Sequence, residues 1–421
     1  MPWKLRFKKQ LYQSTNIFLI IIIFLFLFTD CKKSSTVNPT EPEVNKEIIE
    51  KPDPLRILAQ EIALSLDDSL LTAQVLISGI DGRGEIPLYM KKILEESPVG
   101  GVMLFSYNLN TGNDEIRSFV DQTVTLITEK ASIPPFIAVD HEGGTVYRFL
   151  RGVASLPSAD SYQKILQEEG EEAALIKIKE DSFKAGSEIK SLGINMNFAP
   201  VAEPLIDENR IFLEKRSYGP DAIFTSLAAD AFVQGMKQAG VLCVIKHFPA
   251  SAGHDPHFSA SIINMEKPEL DNLIYPFSYL IKNGARAVMA SHTKVPFIDS
   301  EIASLSSVVM NSWLRGELAF EGLIISDDFT MTAAQQLKQE TAAVRSVSAG
   351  ADAVLVWPPD IKRTHAAFLS ALENGSLSRE RLLDAVEKII YEKLLMGIHD
   401  PQINTEPQPS VLQMREKDIA D

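Results

Sequence analysis

In the stretch Ala239-Gly240-Val241-Leu242-Cys243-Val244-Ile245-Lys246-His247-Phe248-Pro249, a glycine closing a helical pattern is followed by an unbroken apolar, β-branched run. A run with no polar alternation is a strand covered on both faces, which is the condition of a parallel strand sandwiched between helices and neighbouring strands. It ends in Lys246-His247, two chemically active side chains at the C-terminal end of the strand.

Seven further runs have the same character: Gln74 to Ile80, Gly101 to Phe105, Phe136 to Asp140, Ile194 to Ala199, Ala287 to His292, Gly322 to Asp327, and Ala353 to Trp357. Helical patterns separate them, over Pro87 to Glu96, Asp114 to Ala131, Glu168 to Leu192, Asp221 to Gly240, Lys267 to Gly284, Ser307 to Leu318 and Met331 to Gly350. A closing pair, Ile361 to Asn374 and Ser378 to Met396, follows the eighth run. Strict alternation with eight strands predicts an α/β protein of the (β/α)8 TIM-barrel type, with one catalytic domain. An open doubly wound sheet is the alternative, but no glycine-rich phosphate loop follows the first strand.

Barrel chemistry sits at the C-terminal ends of the strands. The third run ends in Asp140-His141-Glu142, the fifth in Lys246-His247, the sixth in Ser291-His292 and the seventh in Ser326-Asp327-Asp328. Five of the seven histidines (His141, His247, His254, His257 and His292) lie at these ends or in the loop after the fifth strand. A metal centre is not expected, because the first strand offers no His-x-His pair. Lys246 could form a Schiff base if its pKa were depressed, but neighbouring carboxylates would raise it, so it reads as a cationic hydrogen-bond donor to a polyol. Carboxylates at several strand ends favour glycoside hydrolysis.

The chain has 421 residues, with 41 Lys+Arg against 56 Asp+Glu and a formal charge of −15. That balance argues against a nucleic-acid partner. Residues 1–30 read as a signal peptide: Lys4, Arg6, Lys8 and Lys9 precede an apolar run from Ile17 to Phe28, too short for the roughly 20 residues of a membrane span. Cys31, directly after it and before polar residues, resembles the acylated cysteine of a bacterial lipoprotein, although Asp30 and Phe28 depart from the usual pattern. Removing residues 1–30 takes away four positive charges and one negative, which leaves −18. Residues 31–54 read as a flexible tether, 55–397 as the barrel and 398–421 as a polar tail. The folded part is therefore expected outside the cytoplasm, tethered to a membrane of the cell envelope and facing the periplasm. Cys243, mid-strand among apolar residues, is expected in the core.

Several motifs resemble glycoside hydrolase family 3, and in particular its single-domain β-N-acetylglucosaminidase branch. Val139-Asp140-His141-Glu142-Gly143-Gly144-Thr145-Val146-Tyr147-Arg148 is similar to V-D-x-E-G-G-x-V-x-R, and Asn197-Phe198-Ala199-Pro200-Val201 followed by Lys215-Arg216-Ser217-Tyr218 to N-F-A-P-V and R-S-F. Lys246-His247-Phe248-Pro249 matches K-H-F-P, and Ser326-Asp327-Asp328-Phe329-Thr330-Met331 resembles S-D-D-L-x-M. The resemblance covers about Val75 to Gly397.

Carried over residue by residue, it implies that Asp327 is the nucleophile and that Asp140, Arg148, Arg216, Lys246 and His247 bind the terminal sugar. It also places His292 at the pocket and makes Asp328 a structural neighbour. The branch uses a loop histidine paired with an aspartate as its acid/base. Here that loop, Ala250-Ser251-Ala252-Gly253-His254-Asp255-Pro256-His257, is two residues shorter than the family's and lacks its G-H-G. The surviving D-x-H implies His257 as general acid/base and Asp255 as its orienting partner, with His254 the competing candidate. Glu203 stands where the family usually has Asp, and Thr145 where it often has Arg.

The function implied is a retaining exo-β-N-acetylglucosaminidase acting on terminal β-linked GlcNAc of peptidoglycan-type fragments, as a monomer and without metal or cofactor. A β-glucosidase or β-xylosidase of the same family is the nearest alternative. Those enzymes usually place a Glu acid/base in a domain after the barrel, for which the residues beyond Gly397 leave little room. A non-catalytic glycan-binding lipoprotein is the alternative of a different class.

Overall fold

The computed structural model describes residues 53–149, 151–253, 261–330 and 337–400. Twelve strands lie in the described residues: β1 Leu76–Gly79, β2 Gly101–Leu104, β3 Phe136–Val139, β4 Met196–Asn197, β5 Leu242–Cys243, β6 Ile245–Phe248, β7 Ser261–Ile262, β8 Ala287–Ala290, β9 Thr293–Val295, β10 Asp299–Ile302, β11 Leu323–Ser326 and β12 Val354–Val356. Six form a sheet in the order β12-β1-β2-β3-β4-β5, and three form another in the order β11-β8-β6. Every pairing in these two sheets is parallel. Each of the eight runs predicted from sequence contains strand, the fifth split into β5 and β6 around Val244.

Two links run between these sheets. Val201 pairs in parallel with Lys246 beside the β5–β6 junction, and Ile325 pairs in parallel with Ala353, so that β11 lies beside β12. The Ser326 amide donates to the Ala353 carbonyl at 3.0 Å, and the Ala353 amide to Ile324 at 3.2 Å. Ile77, Ile137, Ile245, Val288 and Ile324 are buried in these strands, as two-sided apolar runs require.

Helices fill the connections. The predicted helix over 168–192 is broken at Gly170 into Tyr162–Glu169 and Glu171–Ser191. The second piece packs against Ala222–Gln238 at Gly235, where a Cβ would lie 2.0 Å from Ser182 Oγ, so only glycine permits that approach. The segment Val308–Glu317 is wound as a π-helix, and the next amide, Leu318, donates to Trp313. Met331–Gly350 appears as Gln339–Ala349; residues 331–336 lie outside the described residues.

Two further helices precede the first strand, Pro54–Ser65 and Asp68–Gln74, so Gln74 is helical rather than the start of a strand. The first docks on Arg379–Leu395, with the Tyr391 hydroxyl 2.6 Å from Asp53 and Arg56 over the Tyr391 ring. A small third sheet, β10-β9-β7, was not legible as strand because its short members carry polar residues. No described helix is long and apolar enough to cross a membrane.

Asp352 ties these layers together. Its fully buried carboxylate accepts from Arg315 at 2.5 Å, Arg381 at 3.0 Å and the Ile324 amide at 2.9 Å, while its own amide donates to the Ile324 carbonyl. Removing one partner of a buried ion pair leaves the others uncompensated. Asp352→Ala is therefore expected to cost about 3–5 kcal/mol of unfolding free energy, read from the denaturant midpoint; a midpoint equal to the parent's would show the cluster to be dispensable.

Candidate active site

The site is built from the ends of the parallel strands. After β3 the chain runs through Asp140-His141-Glu142 into Gly143-Gly144. A Cβ on Gly143 would sit 2.2 Å from the Pro157 carbonyl oxygen, and one on Gly144 would sit 2.5 Å from Ser158 Cβ. These glycines let the loop fold tightly enough to return Arg148 to Asp140, Nη2 to Oδ2 at 3.1 Å.

From the end of β6, Lys246 Nζ reaches Asp140 Oδ1 at 2.9 Å and Glu142 Oε1 at 2.6 Å. Arg216 grips Glu142 with both arms, Nε to Oε2 at 2.8 Å and Nη2 to Oε1 at 2.9 Å. Planar, bidentate pairing of this kind fixes geometry as well as charge. Burial alone would raise the Asp140 and Glu142 carboxyls, but Lys246 with Arg148 outweighs it for Asp140, and Arg216 with Lys246 for Glu142. Both are held below the ordinary carboxylate range, Glu142 far below. Burial would likewise depress Lys246, but Asp140 and Glu142 hold it above its usual value. An ammonium so held donates hydrogen bonds and is not the free amine that Schiff-base chemistry needs.

Asp327 follows β11 and faces the same cavity, of about 290 Å³. Its Oδ1 accepts from the Asp328 amide at 2.8 Å, and its own amide donates to the Ala290 carbonyl. Asp328 also borders the cavity, but its carboxylate is held by protein donors: Oδ1 accepts from the Thr330 amide at 2.8 Å and Oδ2 from Trp357 Nε1 at 2.6 Å. The wall given by the adjacent strands β12, β1 and β2 is apolar, made by Leu355, Ile77 and Met103 together with Phe105 and Trp357, whose rings stack 4.8 Å apart.

Asp140, Arg148, Arg216, Lys246, His247 and Asp327 thus line one cavity. His292 is not among its lining residues. Its Nε2 bonds the Asp328 carbonyl at 2.9 Å, its Nδ1 bonds Ser304 Oγ at 2.6 Å, and its ring lies 5.0 Å from Phe329. A carbonyl only accepts, so Nε2 carries the proton and Nδ1 takes the Ser304 hydroxyl. Burial pushes this imidazole down although Asp327 opposes it. Both ring nitrogens are engaged, so the expected contact with substrate is replaced by a brace behind the Asp327–Asp328 backbone.

His141 is also turned away from the cavity, buried against Tyr147 and Phe149, and burial pushes it down to about 4. Cys243 is buried as expected, its thiol pushed up by that burial. His254, Asp255, His257 and Cys31 lie outside the described residues.

Several lining residues escaped the sequence reading, Glu142, Phe105 and Trp357 among them. Glu142 stood in the quoted E-G-G motif without a role, while Phe105 and Trp357 each directly follow a strand, the rule that located Asp140 and Asp327. Among the described residues, no group of three His, Cys, Asp or Glu side chains could hold a metal ion.

Glu142 is the joint of the charged wall, and Glu142→Ala is expected to cost about 3–5 kcal/mol, measured by denaturant unfolding at neutral pH. Carboxyls depressed in the folded state stabilise it above their unfolded value near 4, and that stability is lost as pH falls through the lower folded values. The difference between parent and Glu142→Ala should therefore begin to shrink as pH falls past about 4 and go on shrinking below it; a constant difference across acid pH would contradict it.

A model described as the Glycosyl hydrolase family 3 N terminal domain matches residues 73–391. A Beta-hexosaminidase of Hydrogenovibrio crunogenus is 32% identical over 303 residues, covering 70% of this chain and 81% of the relative. Among solved structures, a glycoside hydrolase family 3 beta-N-acetylglucosaminidase from Paenibacillus sp. superimposes with a TM-score of 0.70 at 28% identity. That match covers 80% of this chain and 64% of the Paenibacillus chain, under two thirds of its length. A Beta-N-acetylhexosaminidase from Beutenbergia cavernae gives 0.69 at 25% identity, over 79% of this chain and 99% of that one. With the family model spanning well over half of its length, and with the charged strand ends that its motifs predicted gathered in one cavity, the chain belongs to glycosyl hydrolase family 3.

Proposed function

We propose that this chain is a retaining exo-β-N-acetylglucosaminidase that removes terminal β-linked GlcNAc from peptidoglycan-type glycans. One observation carries the reading: Asp327 shares a small cavity with Asp140, Arg148, Arg216 and Lys246. The relatives named as hexosaminidases support the sugar assigned to it. Arg and Lys donate to sugar oxygens from one wall, while the apolar wall suits the ring face and the acetamido methyl.

Asp327 Oδ1 is occupied by the Asp328 amide, and Oδ2 is the atom assigned to attack C1. His257, oriented by Asp255, gives its proton to the leaving oxygen as the C1–O bond breaks. The resulting glycosyl-Asp327 ester is cleaved by water, whose proton returns to the now neutral His257.

The same reading takes the eight parallel strands as one closed (β/α)8 barrel. It is supported by the continuation of β5 into β6 and by the Ile325–Ala353 pairing. It takes the chain as a monomer, and on the strength of the N-terminal pattern it places the chain outside the cytoplasm, held to a membrane through Cys31.

Asp327→Asn should lower kcat on nitrophenyl β-GlcNAc on the order of a thousandfold or more, with the cavity otherwise intact. Activity equal to the parent's would remove Asp327 from the mechanism, and turnover of nitrophenyl β-glucoside alone would remove the hexosaminidase reading. Nitrophenolate leaves without much help, so His257→Ala should lose roughly 10²–10⁴-fold on a methyl or disaccharide substrate and far less on the aryl one. Equal losses on both would show that His257 is not the proton donor.

A further inference from the structure

We propose that Glu203 is a positioning residue that holds His247 as its Nδ1–H tautomer, so that Nε2 offers a sugar hydroxyl a hydrogen-bond acceptor. The inference rests on the reading of the cavity as a sugar site.

Glu203 follows β4, on a segment joined to β6 by the Ala202 amide, which donates to the Lys246 carbonyl at 2.8 Å. Its side chain is fully buried, yet it meets four donors. Oε1 accepts from the His247 amide at 3.1 Å, His247 Nδ1 at 2.7 Å and Ser251 Oγ at 3.0 Å, and Oε2 from the Ser251 amide at 2.5 Å. A backbone N–H can only donate, and Oε1 and Oε2 each already take one. Three of the four contacts converge on Oε1, and a bare imidazole nitrogen 2.7 Å away would set its lone pair against those of that oxygen; Ser251 Oγ, 3.3 Å from Nδ1, gives its hydrogen to the nearer Oε1, so Nδ1 carries the proton. Nε2 has no protein partner among the described residues, and His247 lines the cavity. In the neutral ring that nitrogen is a bare lone pair.

The value of an acceptor here comes from its neighbours. Arg148, Arg216 and Lys246 can only donate. Asp140 holds a cation on each oxygen, Lys246 on Oδ1 and Arg148 on Oδ2, which leaves one further acceptor site on each. A sugar hydroxyl that accepts from one of these cations must still place its own proton, and Nε2 of His247 supplies a place where Asp140 is out of reach. The ligand class selected is a sugar with a free hydroxyl at that point.

The test uses the 15N-labelled full chain, at a pH where the ring is neutral. Long-range proton–nitrogen correlations identify which nitrogen of His247 bears hydrogen, with the peak assigned by its loss in His247→Gln. The expected result is a protonated Nδ1 and a bare Nε2. In Glu203→Met, close in length but without the acceptor, the ring should turn to the Nε2–H form. The KM for aryl β-GlcNAc should then rise roughly tenfold, the worth of one hydrogen bond, with kcat changed less. Nε2–H in the parent overturns the proposal, whether or not the variant folds. So does a folded Glu203→Met with the parent's tautomer and KM. A parent that shows Nδ1–H but turns over no aryl β-GlcNAc counts against the sugar-site reading instead, so the two failures are distinguishable.

Discussion

Glu142, buried at the end of the third strand, is held in its ionised form by Arg216 and Lys246, and Lys246 is shared with Asp140. Taking two carboxylates out of water is expensive unless each lone pair finds a cation or an N–H at good geometry. That requirement brings together side chains from β3, β6 and the loop before Ala222–Gln238, and leaves little freedom in how these elements can be arranged. The cavity is what remains open at the centre of this arrangement. Its donors are set during folding and need not be gathered when a sugar arrives, which is the condition under which fixed dipoles and charges act most strongly on a reacting centre.

The opposite wall follows different physics. Phe105 and Trp357 stack on each other and contribute area and shape rather than charge. A pocket that is charged on one side and apolar on the other fits a pyranose, whose hydroxyls radiate from the ring edge while its faces are lined by C–H groups. The charged wall sets orientation and the apolar wall sets depth.

Asp140, Lys246 and Asp327 were legible because their position depends only on where an apolar run stops. The partnership of Glu142 with Arg216 was not, since it joins residues 74 apart in sequence through two loops whose paths no local pattern encodes. His292 shows the limit of the same rule. Its place at a strand end was correct, but the direction of its ring was decided by Ser304 and the Asp328 carbonyl, which come from two other segments. The helices Pro54–Ser65 and Asp68–Gln74 were not anticipated; apart from Pro54, read as tether, and Gln74, read as the start of a strand, they occupy a stretch to which no element was assigned, and their place is set by packing on distant helices such as Arg379–Leu395. His141 was drawn into the active-site set by its neighbours Asp140 and Glu142, whereas its ring packs against Tyr147 and Phe149, away from the cavity.

Asp328 is fastened at both ends, its carboxylate to the Trp357 indole and its carbonyl to His292, and its amide holds the oxygen of Asp327 that is not assigned to attack. The apolar wall and the carboxylate proposed as the nucleophile are therefore one mechanical piece. A ligand that presses on Trp357 acts, through a single residue, on the aim of Asp327, so quality of fit at the wall would be transmitted to the atom proposed to attack. Substrates that differ only in what they place against that indole would then differ in turnover as well as in affinity, because binding energy gained at the wall is spent where the transition state forms.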